Sequence, residues 1–148
     1  MAKVALFLAD GYEEIEALAV VDILRRAEIE IDTVSISDEL LTKGSHKIQV
    51  MADKLLKDIV FENYDMLVLP GGRPGGQNLL ENQDVISLVQ YFNEHHQYIA
   101  AMCSGTVVLE KANVIKGKKV TGYTGYQDKL VSGDFVNEVA VFDQNIVT

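Results

Sequence analysis

The sequence predicts an α/β domain in which helices cover both faces of a doubly wound, mostly parallel sheet. Short apolar runs rich in Val, Ile and Leu alternate with longer segments of helical periodicity, and this alternation is typical of parallel strands buried on both faces. The 148 residues suffice for one such domain with a sizeable core. Because no internal repeat or linker divides the chain, we expect a single domain over residues 1–148.

The predicted strands and helices follow one another in regular order. Apolar runs that predict strands lie at residues 4–9, 31–36, 66–69, 99–102 and, more weakly, 120–121. Segments whose apolar residues recur with helical spacing lie at residues 13–27, 83–94 and 107–112. Residues 45–51, 139–143 and 145–148 predict shorter strands that extend the sheet or form a hairpin. Since ligands of such sheets bind beyond the carboxyl ends of the strands, the functional residues are expected directly after the runs.

Composition and charge exclude several classes of function. The net charge of −9 and the lack of clustered Lys and Arg argue against binding to nucleic acid or to an anionic membrane surface through a basic patch. The apolar run near the N-terminus is too short, and wrongly flanked, for a signal peptide or a membrane span. A single cysteine excludes an internal disulfide, and we therefore expect a protein of the reducing cytoplasm.

Cys103, the only cysteine, lies where the run at residues 99–102 gives way to Ser104, Gly105 and a helical segment. A strand that turns sharply into a helix exposes the turn residue at the sheet edge, where N–H groups of the new helix point at its side chain. A thiol at such a position is expected to ionise readily and to act as a nucleophile. The alternative is an inert buried cysteine that packs as a small hydrophobic residue.

The first predicted helix carries three glutamates, and helical geometry separates their roles. Glu16 falls on the same helical face as several apolar residues, namely Ala19, Val20, Ile23 and Ala27. Its carboxyl group is therefore predicted to face the core, where burial favours the protonated form. A protonated Glu16 could donate a hydrogen bond to a thiolate and serve as its proton carrier. Glu13 and Glu14 are interpreted as helix-start charges, with Glu14 solvated on the opposite face.

A glycine-rich segment follows the third run, at residues 70–76. Its backbone N–H groups can approach a ligand closely enough to form an oxyanion hole, although a plain turn explains the same composition. The segment lacks both phosphate-binding glycine patterns, and His46, His95 and His96 show no spacing typical of a metal site. We therefore expect neither a cofactor nor a metal. Because no histidine follows Cys103, a Cys–His hydrolase would need a base from upstream or from another subunit.

Four segments together resemble the DJ-1/ThiJ/PfpI superfamily, and most of all its DJ-1/ThiJ branch. They lie at residues 10–16 (DGYEEIE), 68–72 (VLPGG), 100–103 (AAMC) and 116–121 (KGKKVT). The resemblance implies a flavodoxin-like sandwich that is commonly homodimeric. It also implies that Cys103 is an oxidation-prone nucleophile with Glu16 as its protonated partner. By the same resemblance, N–H groups of Gly72 and Ser104 form a small anion pocket.

The chain departs from the family pattern in three places. Tyr123 stands where some members carry a histidine near the cysteine, and His46 stands where some relatives carry an arginine. Tyr123, His46 and Gly71 are further candidates for residues of the pocket. The family normally continues beyond Thr148 with a loop and a closing helix, so we expect this C-terminal segment to be missing from the sequence.

The first helix also predicts how the chain assembles. Leu18 and Val21 project away from the face that carries Glu16, which makes the helix apolar on two sides. A helix that only covers a sheet in a monomer does not need a second apolar side. We therefore expect a homodimer whose contact includes Leu18 and Val21.

Three functions compete at this stage. The favoured one is a cofactor-independent glyoxalase or deglycase that acts on methylglyoxal-like dicarbonyls or on their adducts, a substrate class implied by the resemblance. The alternative is an oxidative-stress sensor or chaperone that works through oxidation of Cys103. Cysteine peptidase or amidotransferase chemistry is the least favoured, because no histidine follows the cysteine.

Overall fold

A seven-stranded sheet forms the middle layer of the computed structural model, which describes every residue from Met1 to Thr148. The whole chain has eleven strands, seven of which belong to this sheet. They are β1 (Lys3–Leu8), β2 (Glu30–Ser35), β3 (Leu41–Lys43), β4 (Gln49–Met51), β5 (Lys54–Leu55), β6 (Met66–Leu69), β7 (Tyr98–Ala101), β8 (Lys119–Val120), β9 (Asp134–Phe135), β10 (Phe142–Asp143) and β11 (Ile146–Val147). The order in the sheet is β10-β11-β7-β6-β1-β2-β5. All neighbours pair in parallel except the edge hairpin of β10 and β11.

Four α-helices pack on the sheet. They are α1 (Glu14–Arg26), α2 (Gly75–Glu81), α3 (Gln83–Glu94) and α4 (Thr106–Lys111). Outside the sheet, β3 and β4 form an antiparallel hairpin, and β8 and β9 form a short parallel pair. None of the helices combines the length and the apolar composition that crossing a membrane requires.

Two apolar cores lie on opposite faces of the sheet. Alternate residues of β1 point to opposite sides, so that Phe7 packs with the apolar residues of α2, α3 and α4, whereas Leu6 packs with those of α1. Burial on both faces explains why the strands appear in the sequence as nearly continuous apolar runs. The predicted doubly wound, mostly parallel α/β fold is confirmed.

The observed elements include helix α2 and the short strands β3, β5 and β9, none of which was predicted. The five predicted runs each lie within one residue of an observed strand, and the shorter C-terminal runs form the edge hairpin that extends the sheet. Residues 45–51 contribute β4 to a separate hairpin. Helix α2 was not predicted, because it begins with Gly75 and Gly76, which have low helix propensity.

The orientation of α1 corrects the sequence prediction. Val21 is 7% exposed and packs against the sheet, whereas Ile15 and Ile23 are 75% and 62% exposed. The expectation that Val21 projects into a dimer contact is therefore wrong, and Leu18 is only half-buried. Helical periodicity places two apolar stripes on α1, and the stripe that faces the sheet is the one centred on Ala17 and Val21. The homodimer itself stays a prediction.

Candidate active site

The candidate site lies at the carboxyl edge of three neighbouring strands. Because β6 lies between β1 and β7, the segments that follow these strands meet at one place. The first segment leads into α1, whose first turn carries Glu16. The second segment carries Gly71 and Gly72, and the third carries Cys103 and Ser104. Residues far apart in the chain thus converge on the sulfur of Cys103.

Cys103 lies at the strand-to-helix turn that the sequence predicts. Its φ of +51° is in the left-handed region, which costs a non-glycine residue about 1–2 kcal/mol. The turn is held by short hydrogen bonds, since Gly105 N–H donates to Met102 O at 2.9 Å and Thr106 Oγ1 donates to Cys103 O at 2.7 Å. The fold therefore maintains a strained conformation that presents the sulfur at the sheet edge.

Glu16 reaches the sulfur across a gap that Gly71 leaves open. Its Oε2 accepts a hydrogen bond from Gly71 N–H at 2.7 Å, and its own N–H donates to Glu13 Oε2 at 2.8 Å, so Glu13 caps the helix. A Cβ atom on residue 71 would lie 2.8 Å from both Cys103 Cβ and Glu16 Oε2. The missing side chain is what allows the cysteine and the carboxyl group to be neighbours.

The groups around the thiol have opposing effects on the pKa of Cys103. Burial raises the pKa of Cys103, and an ionised Glu16 raises it further through its charge and its hydrogen bond. The N–H groups of Ser104 and Gly72 lower it, but the net pKa is above the ordinary value. While Glu16 is charged, the Cys103 thiol is therefore not readily ionised. The thiolate is favoured only when the thiol proton moves to the carboxyl group of Glu16.

Gly72 and Ser104 provide the N–H groups that face the sulfur. Gly72 has a φ of +110°, a conformation that suits glycine, and Ser104 Oγ donates to Gly72 O at 3.1 Å. The two residues are thereby tied together next to Cys103. An oxygen that becomes negative on a substrate bound to the sulfur would find two donors here.

Glu14 and His46 form a separate cluster on the N-terminal turn of α1. Glu14 is only 5% exposed, and the expectation of a solvated carboxylate is wrong. Its carboxylate accepts hydrogen bonds from His46 N–H at 2.7 Å and from Ser45 Oγ at 3.2 Å, and it pairs with His46 Nδ1 at 2.8 Å. Burial alone would raise the pKa of Glu14, but these bonds lower it to about 2. His46 is thus engaged by a carboxylate, rather than positioned to bind an anion.

The same cluster is the one group of side chains with metal-ligating atoms close together. Ligand atoms of Glu13, Glu14 and His46 lie within 4.8 Å of one another. The sequence prediction missed this cluster because the hairpin of β3 and β4 brings His46 to Glu14 of α1 from 32 residues away. Both carboxylates already accept hydrogen bonds within the protein, and nothing else at this position points to a metal.

The remaining candidates are Tyr123 and two histidines. Tyr123 is 54% exposed and packs edge-on against Tyr126, with 5.4 Å between the ring centroids. His95 and His96 precede β7, whereas Cys103 follows it, so these histidines lie at the opposite edge of the sheet. No histidine other than His46 is therefore near this edge of the sheet, which disfavours a Cys–His hydrolase.

A cavity of about 380 Å³, here named the side cavity, opens next to the site. Six of its lining residues are Gly72, Arg73, Gln77, Ser104, Tyr126 and Lys129. Gly72 and Ser104 belong both to this cavity and to the surroundings of the sulfur. The sequence prediction named neither Tyr126 nor the two cations, because these residues carry no recognisable motif.

The chain matches one protein family and several known proteins in sequence, and it covers different shares of their lengths. The DJ-1/PfpI family matches residues 2–148. Protein dj-1beta of Drosophila melanogaster is 33% identical over all of this chain and 81% of its own length. Glutathione-independent glyoxalase DJ-1 of Schizosaccharomyces pombe is 30% identical over all of this chain and 82% of its own length. The chain spans only about a third of the length of DJ-1 homologs A and B of Arabidopsis thaliana, 36% and 32% respectively.

Solved structures agree with the sequence relatives. The crystal structure of Drosophila melanogaster DJ-1beta has a TM-score of 0.94 and 30% identity, covering 99% of this chain and 80% of its own. An oxidised Toxoplasma gondii DJ-1 has a TM-score of 0.92 and 29% identity, with the same coverage. A family match over almost every residue, together with these structural matches, leads to one conclusion: the chain belongs to the DJ-1/PfpI family.

Proposed function

We propose that this chain is a cofactor-independent glyoxalase or deglycase that acts on methylglyoxal-like dicarbonyls or on their adducts with amines and thiols. The observation that carries the proposal is the grouping of a strained Cys103, the Glu16 carboxyl group and two N–H donors within one site. A Schizosaccharomyces pombe relative named a glutathione-independent glyoxalase matches all of this chain over 82% of its own length, which supports the substrate class.

The proposed reaction starts with transfer of the thiol proton to Glu16. The Cys103 sulfur bonds to the aldehyde carbon of methylglyoxal, and the aldehyde oxygen becomes negative beside the N–H groups of Gly72 and Ser104. That oxygen takes the proton from Glu16, which gives a hemithioacetal. Formation of the hemithioacetal thus needs only one nucleophile, the Cys103 sulfur.

The next step is an internal oxidation and reduction. One proton moves from the aldehyde carbon to the ketone carbon by way of Glu16, and another moves between their oxygens. The first carbon is thereby oxidised and the second reduced, which leaves a lactoyl thioester on Cys103. Water hydrolyses the thioester, releases lactate and restores the thiol. No external oxidant or reductant is required.

The Cys103→Ala variant tests this proposal. Wild-type protein is expected to convert methylglyoxal to lactate without glutathione, and the variant is expected to lose this conversion because the covalent step is gone. Thermal unfolding of the two proteins is compared to show that the variant is folded. Unchanged lactate production by Cys103→Ala would falsify the mechanism.

A second function, oxidation sensing, is favoured by the cysteine count. Because Cys103 has no partner for an internal disulfide, peroxide would carry the sulfur on to a sulfinate, with one oxygen atom from each of two peroxide molecules. The oxidised Toxoplasma gondii relative is consistent with such chemistry. Intact mass after mild peroxide treatment, compared with lactate production, separates the two functions.

A further inference from the structure

The side cavity is larger than a substrate as small as methylglyoxal requires. Its volume of about 380 Å³ lies in the range of pockets that hold whole metabolites. Gly72 and Ser104 line the cavity and also carry the N–H groups that act on the Cys103 thiol, so a ligand in the cavity would lie beside these two residues. The space beyond the reacting carbonyl is therefore available for another part of the substrate.

The charges that line the side cavity are all positive. Arg73 and Lys129 both line it, whereas no Asp or Glu does, although the chain has 22 acidic and only 13 basic residues. Neither cation is within ion-pair distance of a carboxylate, in contrast to Lys3, Lys54 and Lys57. Two unneutralised cations in an otherwise acidic protein make the cavity attractive to anions.

Two neighbouring side chains support this arrangement. Lys129 Nζ lies 4.4 Å from the centroid of the Tyr126 ring, a cation–π contact that restrains the ammonium group at the cavity. Gln77, on the exposed side of α2, adds a neutral amide to the same lining. A carboxylate or phosphate oxygen can accept hydrogen bonds from amide, ammonium and guanidinium groups alike.

We propose that the side cavity is an anion-binding subsite of the Cys103 centre, and that the preferred dicarbonyl substrates carry a carboxylate or phosphate group. The second part rests on the proposed function. The reacting carbonyl lies at Cys103 between Gly72 and Ser104, and the anionic group binds Arg73 and Lys129. The anionic group takes no part in the covalent steps, which remain those of methylglyoxal.

Alkylation of Cys103 tests the subsite without relying on any enzyme activity. Iodoacetate and iodoacetamide both lose iodide to the thiolate, and they differ mainly in charge. Both reagents react with the same thiolate, so the ratio of their rate constants, followed by intact mass, cancels the thiol's own reactivity. Glu16 is present in every protein compared. We expect the Arg73→Gln/Lys129→Gln variant to lower this ratio, by about three-fold to ten-fold for each charge removed. High salt should lower the ratio in the wild-type protein.

Lys116→Gln is the matched control, because Lys116 is exposed and lines a different cavity. Its ratio is expected to stay at the wild-type value. An unchanged ratio in the double variant overturns the subsite, and so does an equal fall in the Lys116 control, which would reflect net charge alone. The single variants Arg73→Gln and Lys129→Gln, each expected to lower the ratio, decide the case if the double variant does not fold.

Turnover of two related dicarbonyls then tests the substrate class. Hydroxypyruvaldehyde phosphate is methylglyoxal with a phosphate ester on its methyl carbon, and we expect about ten-fold higher kcat/KM for it, lost in the double variant. Equal kcat/KM values would overturn the anionic preference. If neither compound is turned over while the alkylation ratio behaves as expected, the glyoxalase proposal fails and the anion subsite stands.

Discussion

Replacing Glu16 by glutamine removes the charge nearest to the sulfur while leaving an acceptor for Gly71 N–H. With Glu16 ionised, burial and this carboxylate together hold the pKa of Cys103 above its ordinary value of 9.0. The substitution removes the like charge that disfavours the thiolate, while burial and the N–H groups of Ser104 and Gly72 keep their effects. We therefore expect the pKa of Cys103 in Glu16→Gln to fall. Alkylation at a fixed pH below that pKa should become about three-fold to ten-fold faster.

The assay is the pH dependence of alkylation by neutral iodoacetamide, followed by intact mass. Cys103 is the only cysteine, so every added mass reports on one sulfur. Glu62→Gln serves as the control, since Glu62 is exposed, forms no ion pair and undergoes the same change in charge. An unchanged or higher pKa in Glu16→Gln would refute the reasoning, because it would mean that the resting carboxyl group already holds the proton.

Two further predictions concern stability and the corrected position of α1. Glu14→Gln should cost about 1–3 kcal/mol in the free energy of unfolding, most of it between pH 4.5 and 6.5. Because the pKa of Glu14 is lowered, the stability it contributes is lost as the pH falls from 4.5 towards about 2. The hydrogen bond to Glu14 raises the pKa of His46, so the stability contributed by His46 is lost as the pH rises through that raised pKa. Val21→Ala should cost about 1–2 kcal/mol, and Ile23→Ala less than about 0.5 kcal/mol in the monomer.

Urea unfolding checks both predictions. For Glu14→Gln, a loss of stability that is the same at every pH would contradict the assigned pairing with His46. For α1, comparable costs for Val21→Ala and Ile23→Ala, measured at a protein concentration where the chain is monomeric, would contradict the orientation of the helix. A cost of Ile23→Ala that appears only at high concentration would instead indicate that the exposed stripe joins a dimer.

The strands could be predicted because a strand buried on both faces appears in the sequence as a nearly continuous apolar run. A parallel strand such as β6 contains only apolar residues, and the turn that follows lies at the carboxyl edge of the sheet, where ligands of such sheets bind. Cys103, Gly72 and Ser104 were accessible to prediction for that reason. Their positions depend mostly on local chain geometry at the ends of β6 and β7.

The errors arose where a distant segment decides the surroundings of a residue. Glu14 is buried because the hairpin of β3 and β4 covers it and supplies Ser45 and His46, which no helical periodicity can show. Glu16 was expected to face the core, yet its neighbours are the loop after β6 and the turn of Cys103. The side cavity was missed for the same reason, since Arg73 and Lys129 meet only in the folded chain.

The absent side chain at Gly71 has a consequence for the order of folding. The sulfur and the carboxyl group meet only where three separate loops are already docked, so a partly folded chain with formed helices but an unfinished sheet holds an ordinary, independent thiol. During refolding, the distinctive reactivity of Cys103 therefore emerges together with the pairing of β1, β6 and β7, and not before it.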